Sequence, residues 1–214
     1  MNAAIKANGE ASVGRRRNPR GQGERLRDEI VEAASALLAE TGDVRQLTLR
    51  GVAKRVGIAA TSVYLHFPDV ERLAWAVVER RYAELTRATN AAEAGIADPG
   101  AALLARCRAY CRFALEHPGH YRVMFEVEPP ARDFVLSPAR PAFEALVRAV
   151  ARCVDAGAAR HGDDPFRLAT LVWVALHGLA LARIERSWFP WPPLDEMVDD
   201  LVRRVVGLDG AEVR

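Results

Sequence analysis

The chain has 214 residues, half of them hydrophobic, which suffices for one large domain or a small head plus a body and excludes wholesale disorder. No window approaches the ~18 uncharged apolar residues of a membrane span, and the polar, basic N-terminus has no apolar signal-peptide core, so the expected location is the cytoplasm. The formal net charge of +2 conceals an asymmetry: residues 1–27 hold seven Lys and Arg against Glu10 and Glu24, whereas from residue 73 onward 18 basic residues meet 19 acidic ones.

In chain order, residues 1–22 are Gly-rich and unpatterned, and read as a flexible basic arm suited to a polyanion. Apolar positions at Leu26, Ile30, Ala33, Leu37 and Leu38 predict a helix over 24–41, closed by Gly42. Thr48 is a good N-cap for a second helix with Leu49, Val52, Ala53 and Val56 inward, ending at Gly57. A third helix, from about Ala59 to Phe67, has an apolar side at Val63 and Phe67 but no charge on its other side. Pro68 and Asp69 then open a long fourth helix that Gly95 and Asp98-Pro99-Gly100 break. Further helices follow, with a break at His117-Pro118-Gly119, one over 165–188 and a last over 192–207. No strand pattern or repeat is visible, so the expected fold is all-α with about nine helices: an arm over 1–22, a three-helix head over 23–70 and a body over 71–210.

Helix, glycine turn, helix is the helix-turn-helix arrangement, whose second helix enters the DNA major groove. That accounts for the neutral face of the third helix. Ala59 and Ala60 let the backbone approach, Thr61 and Ser62 can bond base edges or phosphates, and Leu65 can touch a thymine methyl. Tyr64 and His66 suit phosphate oxygens. Positive charge comes from the arm, Arg17 included, and from Arg50, Lys54 and Arg72.

The run "LTLRGVAKRVGIAATSVYLHFPDVERL" (47–73) resembles the DNA-binding head of the tetracycline-repressor family of bacterial transcription regulators. The resemblance implies Thr48 and Arg50 near the DNA backbone, residues 59–62 and Leu65 on bases, and Tyr64 and His66 on phosphates. It also implies a dimerising, ligand-sensing body, with the last two helices paired across a two-fold axis on a pseudo-palindromic operator, and a location at the nucleoid. Two positions depart from the family: Ala59 stands where Ser or Thr is usual, and Val70 where Lys is frequent.

"YCRFALEHPGHYRVMF" (110–125) and "VWVALHGLAL" (172–181) are similar to sensor domains of that family marked by Trp, His and Gly, here Trp173, His177 and Gly178. The expected ligand contacts are Tyr110, Phe113, Met124, Phe125, Phe143 and Trp173, with His177 on the Trp173 face. Aromatic and Met residues at helical spacing are more often plain core, and that reading stays open. Glu116, His117 and His120 straddle a helix break, so no metal is expected, and no cofactor. Cys107, Cys111 and Cys153 lack paired zinc spacing and read as apolar packing. No nucleophile elbow, phosphate loop or His-Glu-x-x-His pair points to an enzyme. The expected function is a ligand-responsive DNA-binding repressor released by a small apolar molecule. The alternatives are an architectural DNA-binding factor and, behind it, an all-α enzyme.

Overall fold

The structure is a computed structural model, described here for residues 22–127, 137–159 and 164–208. Among these residues every regular element is helical. α1 (Gln22–Thr41) leads through a single 3-10 turn at Val44–Gln46 to α2 (Leu49–Val56) and α3 (Ala60–Tyr64). α4 (Val70–Glu93) runs from this head into a body of α5 (Pro99–Glu116), α6 (Pro118–Glu126), α7 (Arg140–Asp155), α8 (Pro165–Glu185) and α9 (Leu194–Val206).

The caps explain most boundaries. Thr48, Asp69, Asp98 and Asp164 each accept a backbone N–H from the first turn of the helix that follows. Two helices are shorter than the sequence predicts. α3 stops at Tyr64, not Phe67: Ala59 supplies no side-chain cap, and Pro68 disfavours helical backbone at the residue before it. α8 stops at Glu185, not 188. Beyond it the Arg186 carbonyl accepts from the Phe189 N–H and, at 2.9 Å, from the Trp191 indole.

α8 is also the one described helix long and apolar enough to cross a membrane by length and composition, which the search for an uncharged run does not flag. Its apolar residues divide. Leu168, Val172, Leu176 and Leu179 are buried within the chain, while Leu171 and Val174 are 46% and 55% exposed.

Two large cores, with a small third cluster of Ala114, Tyr121 and Ala180 beside them, organise the packing. One joins Ile30, Leu38, Val52, Val63 and Phe67 of the head to Leu73, Val77, Phe113, Val123 and Met124, so head and body share it. The other packs α5, α7, α8 and α9 through Leu103, Leu146, Val150, Leu168, Val172, Val198 and Val202. All three cysteines are buried as free thiols; burial pushes Cys153 up to about 11 and Cys111 up to about 12, so both stay protonated.

The joint between head and body is the crossing of α1 and α6. At Gly119 an added Cβ would lie 2.5 Å from the Ala39 carbonyl oxygen, so only glycine permits this approach. One residue on, His120 is 8% exposed, with its Nε2 2.9 Å from Ser35 Oγ and 2.8 Å from the Ser35 carbonyl oxygen. Burial lowers the His120 pKa from the ordinary 6.5; the Ser35 carbonyl opposes this, the Arg81 and His117 charges add to it, and Glu84 opposes it.

A depressed pKa means that the unfolded chain binds the proton more readily. The His120 contribution to stability is therefore complete above pH 6.5 and falls as the pH drops below it. Denaturant unfolding between pH 7.5 and 5 should show this loss, and His120→Gln should reduce its slope. An identical slope in the two proteins would remove His120 as the group responsible.

Candidate DNA interface and cavity

The head fixes α3 from behind. Thr48 Oγ1 accepts the Gly51 N–H at 3.0 Å and starts α2; Gly57, at φ 79°, closes it in the left-handed conformation and turns the chain. Val63 is fully buried and Phe67 is 3% exposed, so they anchor the reading segment. The opposite side then points outward. Thr61 and Ala59 are exposed, Tyr64 is 53% and Leu65 73% exposed, and Ala60, Ser62 and His66 are partly buried.

Charge around this face is sorted by pairing. Arg45 is held by Asp43 at 2.9 Å and Arg55 by Glu40 at 2.7 Å. Arg50, Lys54 and Arg72 form no side-chain ion pair among the described residues and are exposed. Arg27 lies over the Phe67 ring, 5.1 Å from its centroid. Two large exposed apolar groups, small residues and three uncommitted cations on one side suit a groove lined by phosphates. Arg17 lies outside the described residues.

A cavity of about 470 Å³ opens inside the body. α4 contributes Tyr82, Leu85 and Thr89, and α5 contributes Arg106, Cys107 and Tyr110. Phe125 closes one side, with Phe143 and Leu146 of α7 and Phe166, Thr170, Trp173 and Leu176 of α8. Phe143 meets Phe166 and Trp173 edge-on, at 5.4 and 6.2 Å between ring centroids.

Four of the seven residues named from sequence, Tyr110, Phe125, Phe143 and Trp173, stand in this wall. Phe113 and Met124 do not: they are buried in the core shared with the head. His177 stands behind the wall, stacked on Trp173 at 6.0 Å, its Nδ1 2.8 Å from the Tyr121 hydroxyl. That hydroxyl is in turn 2.7 Å from the Tyr110 hydroxyl. Burial lowers the His177 pKa, which keeps the imidazole neutral at pH 7. Gly178 is exposed on α8, with nothing within 4 Å of an added Cβ.

Tyr82, Leu85, Arg106 and Phe166 are wall residues that the sequence reading does not single out. Tyr82 and Leu85 lie on the apolar stripe of α4, which is indistinguishable from core. Arg106 reads as an ordinary surface cation, yet it is 3% exposed because Glu93, thirteen residues earlier, receives it with two hydrogen bonds of 2.8 Å.

Comparison with known proteins matches residues 30–77 to the profile "Bacterial regulatory proteins, tetR family" and residues 103–206 to "Tetracyclin repressor-like, C-terminal domain". The fold is similar to that of a protein with unknown function from Rhodococcus sp. RHA1, at 26% identity and TM-score 0.73, covering 91% of this chain and 99% of that one. It is similar to the fatty acid degradation regulator FadR from Bacillus halodurans, at 14% identity and TM-score 0.72, over 94% and 100% of the two chains. It is also similar to RolR in complex with resorcinol, at 20% identity and TM-score 0.63, over 89% and 92%.

The division of roles expected on α3, Tyr64 on phosphates and residues 59–62 on bases, is open to a direct test. Tyr64→Ala should weaken binding to all duplex DNA about equally, whereas substitutions at Thr61 or Ser62 should change the preferred sequence. Binding-site selection with each variant checks this. A changed preference with undiminished affinity for Tyr64→Ala would reverse the assignment.

Proposed function

The chain belongs to the tetR family of bacterial regulatory proteins, DNA-binding regulators of transcription, and on that premise we propose that it is a homodimeric repressor released from its operator by a small apolar molecule bound in the body cavity. The observation that carries this reading is the wall that α4 gives the cavity. Tyr82, Leu85 and Thr89 face the space, and the same helix begins at Val70, directly after the reading segment. A molecule that fills the cavity acts on the helix that carries the head.

In this reading residues 23–70 grip DNA. Thr48 and Arg50 lie against the backbone, Ala59, Ala60, Thr61, Ser62 and Leu65 on bases, and Tyr64 and His66 on phosphates. The arm with Arg17 adds sequence-independent affinity. Residues 71–210 sense and dimerise. A ligand that binds the two arrangements of α4 unequally shifts the population between them, and a coupling of about 1–3 kcal/mol changes operator affinity 5- to 150-fold.

Support for the dimer comes from the solvent side of α8. Leu171 and Val174 are exposed on a helix whose opposite side, Leu168, Val172, Leu176 and Leu179, packs into the core. Gly178 continues their stripe with open space above it. A mid-helix glycine costs about 1 kcal/mol relative to alanine unless something approaches its backbone, and the same helix of a second copy is such a neighbour. With α9 beside it, the stripe makes a two-fold face, and two heads then meet two half-sites.

Operator fragments selected from genomic DNA by the purified protein provide the assay. Leu171→Glu should give a helical monomer by sedimentation, with operator affinity reduced at least about 100-fold, because an unpaired carboxylate in that face costs several kcal/mol. A well-folded dimer in this variant would place the interface elsewhere.

A further inference from the structure

Among the described residues the cavity wall contains one buried charge, and that charge is already answered. Arg106 donates from Nε and Nη2 to the two Glu93 oxygens at 2.8 Å, from Nη2 to Asn90 Oδ1 at 2.5 Å and from Nη1 to Thr89 Oγ1 at 3.2 Å. Burial alone would raise the Glu93 pKa, but the Arg106 and Arg152 guanidinium groups hold it below its ordinary value, so the carboxylate stays ionised. Arg152 reaches it at 3.2 Å from the solvent side, with its own side chain 47% exposed. An anionic ligand group brought to Arg106 would meet the Glu93 carboxylate on the same guanidinium, and at this depth solvent screens the repulsion less than at the surface.

The hydroxyl donors of Tyr82, Thr89 and Thr170 are already used. Tyr82 donates to the Met124 carbonyl at 3.4 Å, Thr89 to the Leu85 carbonyl at 3.0 Å and Thr170 to the Phe166 carbonyl at 2.8 Å. Ser137 Oγ accepts the Ala139 N–H at 3.2 Å. Ser137 and Thr170 are partly exposed near Phe166, which is itself 55% exposed, so water competes for their remaining valences.

Tyr110 differs. Its hydroxyl pairs with Tyr121, whose hydroxyl pairs with His177 Nδ1. A phenol has one donor and two acceptor sites, so two valences remain. Their sign depends on the relay. If Tyr110 donates to Tyr121 and Tyr121 to His177, both remaining Tyr110 valences accept. If His177 donates from Nδ1 to Tyr121 and Tyr121 to Tyr110, the Tyr110 O–H is left to donate beside one acceptor site. A neutral imidazole has a tautomer for each. A ligand hydroxyl both donates and accepts, so it fits both arrangements; a carbonyl or ether fits only the second. The surrounding surface is aromatic, from Phe125, Phe143 and Trp173.

We propose that the effector is an uncharged molecule with an apolar, ring-containing body and one hydroxyl group, and that Tyr110, backed by Tyr121 and His177, selects that hydroxyl. This rests on the cavity being the effector site. Tyr110 is the specificity-determining contact; Tyr121 and His177 position it.

The test uses the full chain at pH 7 and three probes of one shape: biphenyl-4-ol, 4-methoxybiphenyl and biphenyl-4-carboxylate. Tryptophan fluorescence reports binding because Trp173 stands in the wall. The alcohol, which fits both arrangements of the relay, should bind more tightly than the ether, which fits one, by up to about tenfold, the worth of one buried hydrogen bond, and the carboxylate should bind more weakly than either. Tyr110→Phe should bring the alcohol and ether to within about twofold, while Tyr82→Phe, which removes another wall hydroxyl, should keep the preference. The ranking in the unaltered protein is decisive even if Tyr110→Phe folds poorly, which its melting temperature reveals. A carboxylate that binds as tightly as the alcohol, or an alcohol preference that survives Tyr110→Phe, overturns the proposal and leaves the cavity reading standing. Absence of saturable binding by all three probes overturns the cavity as effector site, and the proposal with it.

Discussion

The contact on which the rest depends is the close crossing of α1 and α6. Gly119 lies against the carbonyls of Leu38 and Ala39, and no other side chain fits that distance. The approach lets His120 reach back to Ser35 of α1, and it brings Val123 and Met124 into the same core as Ile30, Val52 and Val63. Without it the head would be a three-helix unit with a small core of its own, tethered only by α4. With it, the head is held from two directions, by α4 in sequence and by α6 packed on α1. Ion pairs of Arg80 with Glu32, and of Arg81 with Glu84, flank the same joint at 2.9 and 2.8 Å, but the first is largely exposed and contributes little.

The cavity sits next to this brace. Tyr82 belongs to its wall and donates to the carbonyl of Met124, a residue of the shared core. Phe125, adjacent to Met124, forms the wall on one side and stacks near Tyr82, Tyr121 and His177 on the other. α6 is therefore a thin partition: one side touches the head, the other touches the space that a ligand would fill. Packed interiors transmit displacement because they have few voids to absorb it. A continuous set of contacts through α4 and α6 therefore joins the cavity to the head, the path that the proposed coupling would use.

The head was legible in the sequence because its signals are local. Thr48 three residues before Gly51, Gly57 at the turn, and Pro68-Asp69 before α4 each act through backbone geometry within a few positions. The body was legible as helices but less so as a site. Tyr110, Phe125, Phe143 and Trp173 were named from residue type and fall in one wall. Phe113 and Met124 are of the same types, yet they occupy other positions around the helices that carry Tyr110 and Phe125 and join the core shared with the head. Arg106 was invisible as an interior residue because its burial depends on Glu93 and Asn90 of another helix. The relay behind Trp173 joins residues 110, 121 and 177, separations that no pattern in a single sequence records. The length of α3 was overestimated because apolar spacing continues to Phe67, and that of α8 because Pro190 was the stop signal in the sequence, whereas contacts of the Arg186 carbonyl turn the chain earlier.

The claim that head and body are one cooperative unit through the α1–α6 crossing is tested most directly by native-state hydrogen exchange. Amides of Ile30, Val52 and Val63 in the head and of Val123 in α6 should open with one common free energy, and Gly119→Ala should lower all four together, by about 1–3 kcal/mol for an overpacked contact. Head amides that open independently of Val123, or that are unchanged by Gly119→Ala, would contradict the account.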